Sequence, residues 1–377
     1  MSDKKPSGLE DVVVAQSSIC YIDGQRGQLV YRGYDIDDLV ENASFEEVAW
    51  LLWHGDLPTQ SELDGLKADL AHSMVLPDHL LDLLKTLPFD ANPMRVLSIG
   101  AAAMGTLDPA ADDMSGEANN AKAVRLTAQL PLIMNAWHRI SSDMTPIAPD
   151  VTESLAYNML YCMNGEVPDP YAVETMDAAL ILHADHELNA STFSARVTAA
   201  TLSDLHSAVV SAINTLKGPL HGGANEAVMK MLEEIGEVDN AADYVENAVA
   251  NKKKIMGFGH RVYKAKDPRA VILERMSEEL GKRAGNTKWF QMTHAVEEAF
   301  QPKVIEKQLF PNVDFYSASA YQVMGIPHSL FTPIFACSRV VGWTAHLLEQ
   351  YANNRLFRPS SDYIGETGRK YAPIGER

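Results

Sequence analysis

From Ser44 to the C-terminus the chain returns repeatedly to one spacing, with apolar residues three and four positions apart. The first such segment shows every mark of a helix. Ser44 and Glu47 form a capping-box pair, Phe45, Val48, Leu51 and Leu52 share one face, and Gly55 and Pro58 close the run. A period of two is convincing in one place only, SSICYIDGQRGQLVYRGYDI at 17–36, where apolar and polar residues alternate on either side of Asp23-Gly24-Gln25-Arg26-Gly27. The fold expected is therefore all-α, a layered helical protein with a small N-terminal β-hairpin. Breaks in the helical period fall at Asp108-Pro109, at 141–149, at Asn164-Gly165 with Pro168 and Pro170, at Lys217-Gly218-Pro219, at 257–259, at Phe310-Pro311 and at Gly325-Ile326-Pro327. They read as helix connectors, without low-complexity linkers or internal repeats.

The helices differ in character along the chain. Residues 178–216 are dense in Ala, Ser, Thr and Val at helical spacing, which lets helix axes approach closely in a buried bundle. After Pro219 the helices at 224–235 and 270–280 carry charged outer faces, while 332–351 is apolar again. This places a small helical domain at 220–325, inserted into a large helical domain made of 1–219 and 326–377. With 377 residues, 46% of them hydrophobic, the chain has material for a full core.

Composition removes several function classes. Fifty Asp and Glu against 32 Lys and Arg give a net charge of −18, and the broad basic face that nucleic acid requires is missing. No apolar run approaches the ~18 residues that span a bilayer. The start, MSDKKPSGLEDVVV, has neither a secretory nor a transit composition, so the expected location is cytoplasmic, without membrane attachment. Cys20, Cys162 and Cys337 are odd in number and far apart, and are expected to be reduced and buried.

Against this acidic background one segment is basic. Between Lys252 and Arg269 seven Lys and Arg face one acid, Asp267, a local balance of +6, around the sequence GFGHRVYKAKDPR at 257–269. A small polyanion suits so short a patch. Three further segments place an ionisable group beside a chain break: GPLHGGANE at 218–226, NVDFYSA at 312–318, and the Arg-bearing tail. Singly, each has an ordinary reading, with His221 capping the helix after it and Asp314 serving a turn. The stretch His183-Ala184-Asp185-His186-Glu187 matches neither HExxH nor HxxEH, and no metal is expected. Together, His186, His221, His260 and Asp314 supply acids and bases, and Arg269, Arg339 and Arg358 supply planar forks suited to carboxylates. That set describes an enzyme acting on a dicarboxylate.

These motifs, with SRVVGWTAH at 338–346 and RLFRPSSDYIG at 355–365, closely resemble citrate synthase in its shorter bacterial and archaeal form. The resemblance is strong from 183 to 365 and looser at YRGYDIDDL and FEEVAWLLWHGDLPT near the N-terminus. It implies an almost wholly helical two-domain homodimer and an acyltransferase of the tricarboxylic acid cycle. The implied reaction condenses acetyl-CoA with oxaloacetate and water to citrate and CoA through an enol(ate) and citryl-CoA; 2-methylcitrate synthase, using propionyl-CoA, is the alternative. By the same resemblance Asp314 is the base, His221 stabilises the enol or enolate and His260 protonates the oxaloacetate ketone. His186, Arg269, Arg339 and Arg358 hold oxaloacetate, Arg358 from across the dimer interface. The small domain carries much of the CoA site, with Ile255, Gly257, Phe258 and Gly259 meeting the adenine and Arg261 and Lys264 facing phosphates. For Lys252, Lys253 and Lys254 phosphate contact and a solvated helix end remain two open readings. No permanently bound cofactor is implied, the CoA thioester being a cosubstrate.

Overall fold

The computed structural model describes residues 7–9 and 12–377; most of the N-terminal stretch read above for a targeting signal lies outside the described residues. Strands β1 (Cys20–Asp23) and β2 (Gln28–Tyr31) pair antiparallel, with Cys20 opposite Tyr31 and Asp23 opposite Gln28. The turn is closed locally, because Asp23 Oδ1 accepts from the Gln25 and Arg26 N–H groups, each at 3.0 Å. A two-residue strand β3 (Tyr34–Asp35), absent from the sequence expectation, adds to the other edge of β2.

Helices follow almost without interruption. The first six are α1 (Ile36–Asn42), α2 (Phe45–His54), α3 (Gln60–Ser73), α4 (Asp78–Lys85), α5 (Pro93–Leu107) and α6 (Gly116–Ser141). Next come α7 (Leu155–Asn164), α8 (Pro170–His183), α9 (Ala190–Ala199), α10 (Leu205–Leu216) and α11 (Ala224–Ile235). The last are α12 (Ala241–Ala250), α13 (Pro268–Arg283), α14 (Lys288–Val304), α15 (Val313–Val323) and α16 (Phe331–Ala352). The protein is all-α with one small sheet. None of the described helices is long and apolar enough to cross a membrane.

Local chemistry explains where these helices start. The Ser44–Glu47 capping box is formed in full at α2, and Gly55 ends that helix in the left-handed conformation at φ 98°. Side chains of Asn189, Asp204, Asp267 and Asn312 cap α9, α10, α13 and α15. The small-residue run at 178–216 is thus three helices, divided where Asn189 and Asp204 offer the backbone a stronger partner than continued helix. Two cysteines are buried as expected, but Cys20 is only half-buried, because it opens the first, short strand.

The axis of the molecule is α16, which is buried on nearly every side. A helix apolar all round can only sit inside other helices, and α16 packs against α2, α5, α6, α8, α9, α10 and α11. Trp53 of α2 pins this core by donating to Thr344 Oγ1 at 2.9 Å. Helices α11 to α15 pack chiefly on one another, α13 and α11 on α15 and α12 on α14. They meet the remainder where α1 and α8 touch α13 and where α16 touches α11.

Candidate active site

The candidate residues sit at helix ends that converge. His186 lies in the break between α8 and α9, and His221 just before α11. His260 lies in the loop before α13, Arg269 in the first turn of α13 and Asp314 in the first turn of α15. Arg339 projects from the middle of α16. Helix N-termini carry partial positive charge, so this convergence favours an anion before any side chain is counted. One loop contact fixes the arrangement. The segments around 258 and 311 pair as a short bridge, with Gly259 N–H donating to Phe310 O at 2.8 Å and Asn312 N–H to Gly257 O at 2.9 Å. Asp314 is thereby set beside the loop that carries His260.

Arg269, Arg339 and His186 form the buried part of the cluster. Arg269 donates from Nε and Nη2 to Asp267 at 3.0 and 2.8 Å. Burial alone would lower its pKa, but the Asp267 carboxylate, joined by Tyr263, more than offsets burial and raises it, so the guanidinium stays charged. Arg339 donates from Nε to the His183 carbonyl at 2.6 Å and lies over the Phe335 ring. Among the described residues it has no other acceptor, leaving the outer edge of its fork to a ligand. His186 Nε2 is 3.2 Å from Tyr263 Oη, and its ring meets that of His260 edge-on, with centroids 5.1 Å apart. Burial, then the charge of Arg269, holds its pKa well below the ordinary range.

His221, His260 and Asp314 keep partial access to solvent. His260 Nδ1 faces two backbone N–H groups, those of Val262 at 3.1 Å and Tyr263 at 3.3 Å. Backbone N–H can only donate, so Nδ1 accepts and Nε2 carries the proton. At His221 it is Nε2 that faces the Ser191 N–H at 3.3 Å and Ser191 Oγ at 2.8 Å, which leaves the proton on Nδ1. Burial, aided at His260 by Arg269 and at His221 by Arg339, lowers both imidazoles to about 4. Both are therefore neutral donors at pH 7. The Asp314 carboxyl moves the other way. Crowding by protein atoms raises it to about 6 against the pull of Arg269 and Arg339, although water still reaches it. A carboxylate poised near neutrality can take a proton, and neutral imidazole donors can receive the charge that develops on a substrate oxygen.

Arg358 stays outside this cluster. It is exposed on the tail after α16 and, among the described residues, bonds only the Pro359 carbonyl. Around the glycine loop, Ile255 and Phe258 are buried, Phe258 packing edge-on against Phe300 and Phe315. Gly257, at φ 78°, is required by packing as well as by its backbone, since a Cβ there would lie 2.7 Å from Phe315 Cδ2. Arg261 and Lys264 are exposed. Lys253 pairs with Glu234 at 2.7 Å, while Lys252 and Lys254 are exposed just past the end of α12.

Sequence reasoning missed Ser191, Tyr263 and Asp267 as supports. Ser191 orients His221 while accepting from Trp343 Nε1 at 3.1 Å, and Tyr263 touches His186, His260 and Arg269. Asp267 holds Arg269 and also accepts from Val313 N–H at 3.3 Å, joining α13 to the start of α15. Only Asp267 left a trace, as an N-cap residue before proline. Among the described residues no group of three or more His, Cys, Asp or Glu is arranged to hold a metal.

An all-α fold with a cluster of two arginines, three histidines and a raised carboxyl at converging helix ends defines a helical enzyme for anionic substrates. The profile of the family described as "Citrate synthase, C-terminal domain" matches residues 8–360. The chain is 52% identical over 371 residues to citrate synthase 2 of Bacillus subtilis, covering 98% of both. It is 42% identical over 381 residues to the 2-methylcitrate synthase of Shewanella oneidensis, covering 100% of both. Its fold superposes at TM-score 0.92 and 33% identity on the citrate synthase of Thermoplasma acidophilum, solved as a ternary complex with carboxymethyl coenzyme A and oxaloacetate, with 98% of each chain covered. The chain belongs to the citrate synthase family, and it is an enzyme of the acyltransferase class.

Proposed function

We propose that the chain condenses acetyl-CoA with oxaloacetate and water, giving citrate and CoA. The observation that carries this reading is the Asp314 carboxyl, set in the first turn of α15 beside the loop that carries His260 and raised to about 6 against the pull of Arg269 and Arg339. Asp314 removes a methyl proton from the thioester. His221, with its proton on Nδ1, donates to the thioester oxygen as the enolate forms, because a preorganised donor in a dry site relieves charge that a carboxylate base alone could not generate. His260 donates from Nε2 to the ketone oxygen of oxaloacetate as the carbon–carbon bond forms. His186, Arg269 and Arg339 hold the two carboxylates, and water then cleaves citryl-CoA.

The same reading divides the chain into a large domain, 1–219 with 326–377, and a small domain, 220–325, that carries the CoA loop. In it, backbone groups around Ile255 to Gly259 meet the adenine while Arg261 and Lys264 face phosphates; both cations are exposed, as that role needs. The protein acts as a homodimer in which Arg358 completes the partner's pocket. Two features support this: among the described residues Arg358 meets no acidic side chain, its one bond going to the neighbouring Pro359 carbonyl, and the tail leaves Leu356, Tyr363, Ile364, Tyr371 and Ile374 exposed for another surface to cover. The enzyme serves the tricarboxylic acid cycle in the cytoplasm, whose reducing conditions suit its three unpaired cysteines.

The second reading, a 2-methylcitrate synthase, is favoured by the full-length likeness to an enzyme of that name. One methylene changes discrimination by about 1–3 kcal/mol, roughly 10–200-fold. Measuring kcat/KM with acetyl-CoA and propionyl-CoA decides between them. Preference for acetyl-CoA is expected, preference for propionyl-CoA selects the second reading, and no thiol release with either removes both.

A further inference from the structure

The N-terminal hairpin has no part in the chemistry above, yet its tip lies directly against the loop that carries His260. Lys264 N–H donates to Gly24 O at 2.8 Å. A Cβ on Gly24 would lie 2.2 Å from Val262 O, and one on Gly27 would lie 2.8 Å from Lys266 O. The tip thus meets the loop at 262, 264 and 266, every second residue. The intervening Tyr263 is buried toward the pocket, where it meets His186, His260 and Arg269. The root of the same hairpin reaches the opposite wall. Tyr31 Oη accepts from Asp185 N–H at 3.1 Å and donates to Asp185 O at 2.8 Å, immediately before His186.

We infer that the hairpin is a positioning latch, its root fixed on the His186 segment and its tip gripping loop 262–266 so that His260, Tyr263 and Arg269 face oxaloacetate. This rests on the reading of those groups as the oxaloacetate site. Gly24 is the residue on which the grip depends. Its backbone lies outside the left-handed region, so alanine suits the hairpin itself, and it is the Val262 carbonyl group, C as well as O, that forbids the methyl group. Gly24→Ala therefore leaves the hairpin able to form and keeps the loop from seating against it. Oxaloacetate then binds a state populated in a smaller fraction of molecules, and apparent affinity falls by that fraction.

The test compares Gly24→Ala with Gln25→Ala, a change at the exposed tip, by steady-state kinetics and by hydrogen exchange at the Lys264 amide. For Gly24→Ala the expected result is a rise in KM for oxaloacetate of about tenfold or more with a smaller change in kcat, as the loss of one well-placed hydrogen bond and its packing implies. Gln25→Ala stays within twofold of wild type. The Lys264 amide should be protected in wild type with oxaloacetate bound and exposed in Gly24→Ala. A change at 24 that lowers kcat alone, by reducing the folded fraction, overturns the latch, as does a KM within twofold of wild type. So does a Lys264 amide that exchanges freely in the oxaloacetate-bound wild type, a measurement that decides even if Gly24→Ala does not fold. Wild type lacking turnover with acetyl-CoA and oxaloacetate would instead defeat the catalytic reading, and the exchange measurement would still judge the latch.

Discussion

Replacing Asp314 by Asn should remove turnover and at the same time make the protein more stable. The carboxyl titrates at about 6 in the folded chain, because burial opposes its charge more than Arg269 and Arg339 favour it. In an unfolded chain an aspartate titrates near about 3.9, and each unit of difference is worth about 1.36 kcal/mol. Two units set an upper bound of about 3 kcal/mol for the cost of holding Asp314 ionised at pH 7.5. Water reaching the partly open carboxylate screens part of this, so about 1–2 kcal/mol is the working figure. The sign follows from proton uptake on folding. The penalty is absent below about pH 4, where both states are protonated, grows as pH rises toward 6 and is complete above it. Asn has no such penalty. Unfolding entropy of about 2.1 cal/mol/K per residue over 377 residues turns the difference into a Tm higher by ~1–3 °C. Calorimetry of both proteins without substrates at pH 4 and pH 7.5 checks it, alongside thiol-release assays. An Asn variant no more stable at pH 7.5, or a difference equal at both pH values, refutes the electrostatic account. Loss of the base should lower kcat by roughly 10²–10⁴, and turnover within tenfold of wild type refutes the assignment of the base.

Two further outcomes are expected. Because Asp314 must be ionised to accept the proton, kcat/KM should fall on the acid side with an apparent pKa near 6, while His221 and His260, held at about 4, add no limb between pH 5 and 8; a profile flat down to pH 5 contradicts the raised carboxyl. Arg358→Ala and Asp314→Ala subunits, each nearly inactive alone, should complement when co-expressed: half of randomly mixed dimers are mixed and one of their two sites is intact, giving about a quarter of wild-type activity. If Arg358 serves its own subunit, every site carries a defect and mixing restores nothing.

The helical architecture was legible because its signals are local. The Ser44–Glu47 capping box and the Gly55 stop act within one turn of chain, and the structure forms both of them. The hairpin was legible for the same reason, its turn being closed by Asp23 on its own neighbours. Motif order brought His221, His260 and Asp314 forward as one set, but not the reason each is chemically apt. Which imidazole nitrogen carries the proton depends on Ser191 for His221, 30 positions away. The raised Asp314 carboxyl depends on burial that no short window of sequence describes.

The basic segment shows the same division. Along the chain Lys252 to Arg269 carries +6, and that much is a property of the sequence. In space Lys253 meets Glu234, and Lys266 meets Glu274 at 2.8 Å and Glu297 at 2.9 Å, so three of these charges, with Arg269 on Asp267, already have partners. Lys252, Lys254, Arg261 and Lys264 form no ion pair among the described residues and remain to face an anion. Hydrophobic period and capping are read within three or four residues, and the sequence alone therefore determined the all-α character and ends such as those of α2, though not the breaks at Asn189 and Asp204 inside the small-residue run. Charge balance, tautomer and the close approach of Gly24 to Val262 depend on residues brought together from distant positions, and only packing of the finished helices decided them.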